Sequence, residues 1–213
     1  MSNPSRFSRL AILPALAASG LLVVSLKFPL WHIRMEAPQY QGREALRVEV
    51  LPGAMRGNLD EIRVLNQYIG VQVPDHLPQT RWLPVSLIAG AALGLGAAFL
   101  PRKARRFAAL GVAAYLTVAM LAAAGQAQWQ MHQIGHHRNH HAALAGVKDF
   151  TPPLLGSTKL ANFELRSGLG LGSLFIAVAV AGYAGIGLAT RHSRRLVPTC
   201  EAAAEPAPAE AIA

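Results

Sequence analysis

Four stretches of the chain stay apolar long enough to cross a bilayer, whose hydrocarbon core of about 30 Å takes roughly 20 residues of helix. They are Leu10–Leu26, prolonged by Lys27–Trp31, then Trp82–Leu100, Phe107–Gly125 and Gly168–Ala189. The first follows Arg6 and Arg9 as a secretory signal would. Its apolar run outlasts the usual signal core of about 7–15 residues, so it reads as an uncleaved anchor. Gly90, Gly94 and Gly96 on the second span, and Gly168, Gly170, Gly172, Gly182, Gly185 and Gly187 on the fourth, allow close helix approach.

Between the spans the pattern changes. Leu46–Val50 alternates apolar and charged residues, the period of a half-exposed strand. Pro52–Gly57 reads as a turn. Asn58 with Glu61 has the spacing of a helix-capping box, and Leu59, Ile62, Leu65 and Ile69 form one apolar face ended by Gly70. That face needs a partner from elsewhere, so the segment is expected to pack on the second long loop, with Trp31 and Tyr40 partly buried. Pro152 and Pro153 break that second loop, and Gly156–Arg166 reads as a short interfacial helix.

The expected fold is an all-α membrane protein with four transmembrane helices and two outward segments, the first carrying a short strand and an amphipathic helix. The boundaries are a cytoplasmic N-terminus at 1–9, helices at 10–30, 82–100, 107–127 and 168–189, and outward segments at 31–81 and 128–167. A cytoplasmic loop occupies 101–106, and a disordered cytoplasmic tail 190–213. Charge sets the orientation. Arg6, Arg9, Arg102, Lys103, Arg105, Arg106, Arg191, Arg194 and Arg195 flank one side of the spans. On the other side basic residues are diluted by Glu36, Glu44, Glu49, Asp60, Glu61, Asp75, Asp149 and Glu164. Positive flanks stay in the cytoplasm, so both termini are expected there, in a bacterial inner membrane, with both long segments periplasmic.

Composition agrees. Of 213 residues, 52% are hydrophobic and 15% charged, against about 25% charged in a soluble domain. The net charge of +9 gathers beside the spans and comes without base-stacking aromatic motifs, so no nucleic-acid partner is expected. The single Cys200 excludes an internal disulfide and a thiolate-pair metal site.

Residues 132–141 read HQIGHHRNHH and hold five of the eight histidines. If the third span continues as a helix, His132, His136 and His140 share one face, and His137 and His141 form a second pair four apart. That spacing lets two imidazoles grip one metal ion. Met131 adds a thioether, with Met35 and Met55 on the same side. Imidazole with thioether and no thiol favours copper, with zinc second. A hydrated surface loop and a proton relay are the competing readings. No pair of mid-span histidines is placed to clamp a porphyrin, so no haem is expected. Nothing in the chain resembles a nucleophile elbow or a Walker loop, and no catalysis is expected from it.

Three stretches, residues 29–40, 65–70 and 152–163, together resemble a small multispan membrane protein of bacterial nitrous oxide reductase gene clusters, of the clade II type. The matching positions are Trp31, Ala37, Pro38, Gln39 and Tyr40, then Leu65, Asn66, Tyr68, Ile69 and Gly70. Gly135, His136, Pro152, Pro153, Gly156 and Asn162 complete the match. Gln67 and Val71 stand where that family often has His and Met, and His137 and Asn139 replace its usual acidic residues. The resemblance implies a pathway and not an activity. It leads to the expectation of an accessory protein for periplasmic nitrous oxide reduction that helps copper delivery or assembly of the copper reductase. Its partners would be membrane lipid and other proteins of that system. The alternatives are a quinol-linked electron-transfer anchor, with Trp31, Tyr68, Trp129 and His132 near the quinol, and a metal-free scaffold.

Overall fold

The computed structural model describes residues 4–36, 45–69, 77–136, 151–160 and 163–192. In chain order the elements are α1 (Pro4–Ser25), β1 (Trp31–Glu36), β2 (Leu46–Val50), β3 (Met55–Gly57), α2 (Leu59–Ile69) and α3 (Gln79–Ala98). After these come α4 (Arg102–His136), β4 (Gly156–Leu160), β5 (Phe163–Leu169) and α5 (Leu171–His192). The fold is mixed. Four helices form a bundle, and all five strands form one antiparallel sheet in the order β3-β2-β1-β5-β4.

In the bundle α1 packs on α3 and α5, and α4 packs on the same two helices, which closes a ring of neighbours. Leu22, Leu87, Leu116, Ile176 and Tyr183 fill its axis and are fully buried. The buried line of α4 is mostly small, running through Ala109, Ala113, Ala119, Ala123 and Ala127. Small side chains let helix backbones approach, the main way apolar helices associate when lipid is as apolar as they are.

The sheet caps one end of this bundle. Leu30, after α1, donates its N–H to Val50 O (2.8 Å) and accepts from Gly170 N (2.8 Å), while Gly172 N donates to Pro29 O (2.9 Å). Ser173 Oγ donates to Leu30 O at 2.6 Å. These bonds satisfy donors at the start of α5 that have no partner within the helix. A Cβ on Gly170 would strike the Pro29 carbonyl, so only glycine lets the two backbones meet there.

Side chains alternate across the sheet as the strand period demands. The register pairs Trp31 with Val50 and Leu169, Ile33 with Val48 and Ser167, and Met35 with Leu46 and Leu165. Trp31, Met35, Leu46, Val48, Val50 and Leu165 are buried. Trp31 and Val50 join Leu77 and Met131 in a second core between sheet and bundle. The other face carries His32, Arg34, Glu36, Arg47, Glu49, Glu164 and Arg166.

Several expectations are corrected. The chain is not all-α, because the charged alternation at 31–36 forms a central strand that pairs with 46–50 on one side and with 163–169 on the other. The segment 156–166, read as an interfacial helix, forms β4 and most of β5, turning at Gly156 with φ +110°. Three described helical segments, not four, are long and apolar enough to cross a membrane: Arg81–Ala98, Arg102–His136 and Leu171–Ala189. Among the described residues the apolar stretch of α1, Ile12–Ser25, is shorter than these three. The loop expected at 101–106 is mostly helix, because α4 begins at Arg102. Arg105 is buried and donates Nε and Nη2 to Leu100 O (3.2 and 3.1 Å) just past the end of α3. The strand at 46–50 and the helix at 59–69 stand as expected. Asn58 Oδ1, however, accepts from the Arg47 N–H of β2 (3.2 Å), where the capping-box spacing would turn it to its own helix.

Candidate functional site

Helix α4 has 35 residues and is about 52 Å long, against a hydrocarbon core of about 30 Å. It is therefore longer than a span needs. Its first turn is basic (Arg102, Lys103, Arg105, Arg106), and its apolar run begins at Phe107. Some twenty residues later the sequence turns polar at Gln126, Gln128 and Gln130. Tryptophans mark the same level. Trp82 Nε1 donates to Gln126 Oε1 (2.9 Å), and Trp129 is 65% exposed. Tryptophan favours the boundary where one edge is wet and the other apolar. The last two turns of α4 thus lie beyond its apolar run, on the side of the sheet.

Those turns carry His132 and His136, both exposed. Their ring centroids are 3.9 Å apart, one helical turn along the same face. His136 Nδ1 lies 2.9 Å from His132 O. A carbonyl oxygen only accepts, so His136 Nδ1 carries the proton and Nε2 holds the free lone pair. His132 Nδ1 pairs with Thr151 Oγ1 at 3.1 Å, and the Trp129 ring lies beside it at 6.4 Å. A ring nitrogen held by a neighbour is the usual way a ligating imidazole is oriented.

The returning segment is held twice. Besides Thr151 on His132, Leu154 O accepts from Trp31 Nε1 at 2.7 Å. Trp31 is 5% exposed, more deeply buried than the partial burial expected, with its indole bonded to the second long loop. Tyr40 lies outside the described residues. Helix α4 continues to His136, as the histidine spacing required, and Gly135 is buried within it.

Of the sequence-predicted ligands, the structure brings His132 and His136 together. It places Met131, 8% exposed, in the apolar cluster with Trp31, Val50 and Leu77. His137, His140 and His141 lie outside the described residues. Among the described residues no group of three or more His, Cys, Asp or Glu converges. Met35 is buried and Met55 packs on the Trp31 cluster.

The outer face of the sheet adds charge. Arg34 Nε pairs with Glu36 Oε1 and Arg166 Nε with Glu164 Oε1, each at 2.9 Å. The register sets Arg34 opposite both Arg47 and Arg166, and Glu36 opposite Glu164. Like charges thus face one another across strands, and pairing along each strand offsets the repulsion. The hydrogen bond from Arg166, aided by its charge and that of Lys159, lowers the Glu164 pKa, while the same bond raises that of Arg166.

Sequence reading missed one feature, an apolar hollow between the sheet and the outer end of the bundle, walled by Trp31, Val50, Leu83 and Ala127 among others. Its walls are far apart in sequence, so no local pattern announces it. No family model matches the chain, and comparison with curated proteins returns no match.

Proposed function

We propose that this chain is a multi-pass accessory protein of a bacterial inner membrane, with its sheet and the end of α4 in the periplasm. There His132 and His136 hold a copper ion in transit, or a zinc ion less favourably, in support of periplasmic nitrous oxide reduction. The observation that carries this is the pair of imidazoles beyond the apolar run of α4, with the Nδ1 of each engaged. Two neutral imidazoles from one helix form an open site. Such a site leaves coordination positions for other ligands, whereas a structural zinc site closes all four. His137, His140 and His141 follow in the sequence and are the candidates for a third ligand. The pathway comes from the resemblance of residues 29–40, 65–70 and 152–163 to membrane proteins of nitrous oxide reductase gene clusters.

The test is metal titration of the purified full-length chain, with copper(I), copper(II) and zinc in separate arms. Replacing His132 and His136 together by Ala should weaken binding at least tenfold, and His192→Ala should leave it unchanged. Acidification should also weaken binding, because protonation removes the ligating lone pair. In cells short of copper, the double variant should lower the copper content of the reductase. Unchanged binding in the double variant would overturn the metal site. Altered binding with unchanged reductase loading would overturn the pathway alone.

A further inference from the structure

The hollow beneath the sheet lies at a definite depth. Its α4 wall is Met120, Ala123, Ala124 and Ala127, running from the apolar part of the helix up to the Trp82–Gln126 level. Its roof is Trp31 and Val50 of the sheet, and Leu155 and Leu169 at its edge are 58% and 64% exposed. Alanines make much of the α4 wall here.

Its volume is about 150 Å³. An apolar space of about this size accepts a small apolar guest, such as a ring or a few methylenes of a longer chain. The polar atoms near the wall are engaged: Ser173 Oγ donates to Leu30 O and Trp31 Nε1 to Leu154 O. A quinol headgroup would need partners this wall does not offer. A second helix, about 10 Å across with its side chains, is too wide for the space. A hydrocarbon chain fits both chemistry and width, and at this depth the bilayer supplies one directly.

We propose that the hollow holds a segment of one acyl chain of a phospholipid from the outer leaflet, seated under the sheet between α4 and the start of α5. The inference rests on the membrane reading and is independent of any metal. The guest restores dispersion contacts that an empty space forfeits, and it makes lipid a structural part of the junction between bundle and sheet.

The test uses Trp31 as the reporter. The full chain carrying Trp82→Phe and Trp129→Phe is reconstituted in phosphatidylcholine vesicles whose acyl chains are brominated. Trp31 emission should be largely quenched, although Trp31 is 5% exposed. Adding Ala124→Phe, which fills the hollow, should restore emission, whereas Ala122→Phe on the same helix should not. As a measurement on the unaltered chain, mass spectrometry from mild detergent should find one retained phospholipid, lost in Ala124→Phe. Inserted protein whose Trp31 is not quenched, or is quenched equally with Ala124→Phe, would overturn the proposal. Retention of a free fatty acid or an isoprenoid in place of phospholipid would also overturn it. Failure of the chain to enter vesicles at all would overturn the membrane reading itself.

Discussion

The Tyr183 hydroxyl lies 2.8 Å from Ser19 Oγ, across 164 positions of sequence. Ser19 Oγ donates its one proton to Ala91 O at 3.0 Å, so Tyr183 is the donor to Ser19. One relay thus joins α5, α1 and α3 inside the bundle, where no water competes. Tyr183→Phe should lower stability by about 0.6 kcal/mol, the average for a hydrogen bond between membrane helices. Ser19→Ala should cost more, because it leaves the buried Tyr183 hydroxyl without its acceptor. Unfolding titrations in mixed micelles would measure both, and equal effects would speak against the relay's direction.

Two glycines on α3 should respond in opposite ways. A Cβ at Gly94 would collide with the Tyr183 ring, while one at Gly96 would meet nothing within 4 Å. Gly94→Ala should destabilise by about 2 kcal/mol or more through overpacking. Gly96→Ala should stabilise by roughly 0.5–1 kcal/mol through helix propensity alone. The same unfolding assay applies, and a stabilised Gly94→Ala variant would mean that α3 and α5 do not pack at this position.

On the sheet, Glu164 should titrate below its ordinary carboxylate value because Arg166 bonds its ionised form. The sign follows from the lowered folded-state pKa. The stabilisation is present above the ordinary value of 4.5, and is lost as pH falls through the lowered one. Arg166→Gln should move the Glu164 titration upward, as followed by NMR of labelled glutamate carboxyls. An unmoved titration would show that the pair is not formed in solution.

Topology can be read with reporter fusions. Active periplasmic reporters are expected after Asp60 and after Lys148, and an inactive one after Ala104. The warrant is the short basic turn between α3 and α4 opposite the sheet-capped end. An active periplasmic reporter at Ala104 would invert the orientation.

The apolar runs of α3, α4 and α5 were legible because a bilayer imposes the same length on every span, and that length is written locally. The helix at 59–69 and the strand at 46–50 were legible for the same local reason, an amphipathic period. The strand at 31–36 was equally periodic, with Trp31, Ile33 and Met35 turned one way and His32, Arg34 and Glu36 the other. A six-residue alternation does not say which strand it will pair with. β1 lies between β2, which follows it closely, and β5, more than a hundred residues further on. Only that closure turned an expected all-α chain into a bundle capped by a sheet, and an expected interfacial helix into β4 and β5.

The candidate site divides along the same line. The i, i+4 spacing of His132 and His136 is a property of the sequence once α4 is helical that far, and so is their place beyond its apolar run. Which ring nitrogen of His136 stays free was decided by His132 O, and Met131 was turned inward by the apolar cluster of Trp31, Val50 and Leu77. Trp31, Leu154 and Ala127 wall one hollow although no local pattern relates them. Periodicity and charge act over a few neighbours and can be read along the chain; a cavity, a register and a hydrogen-bond relay are relations between distant segments, and they exist only once packing has brought those segments together.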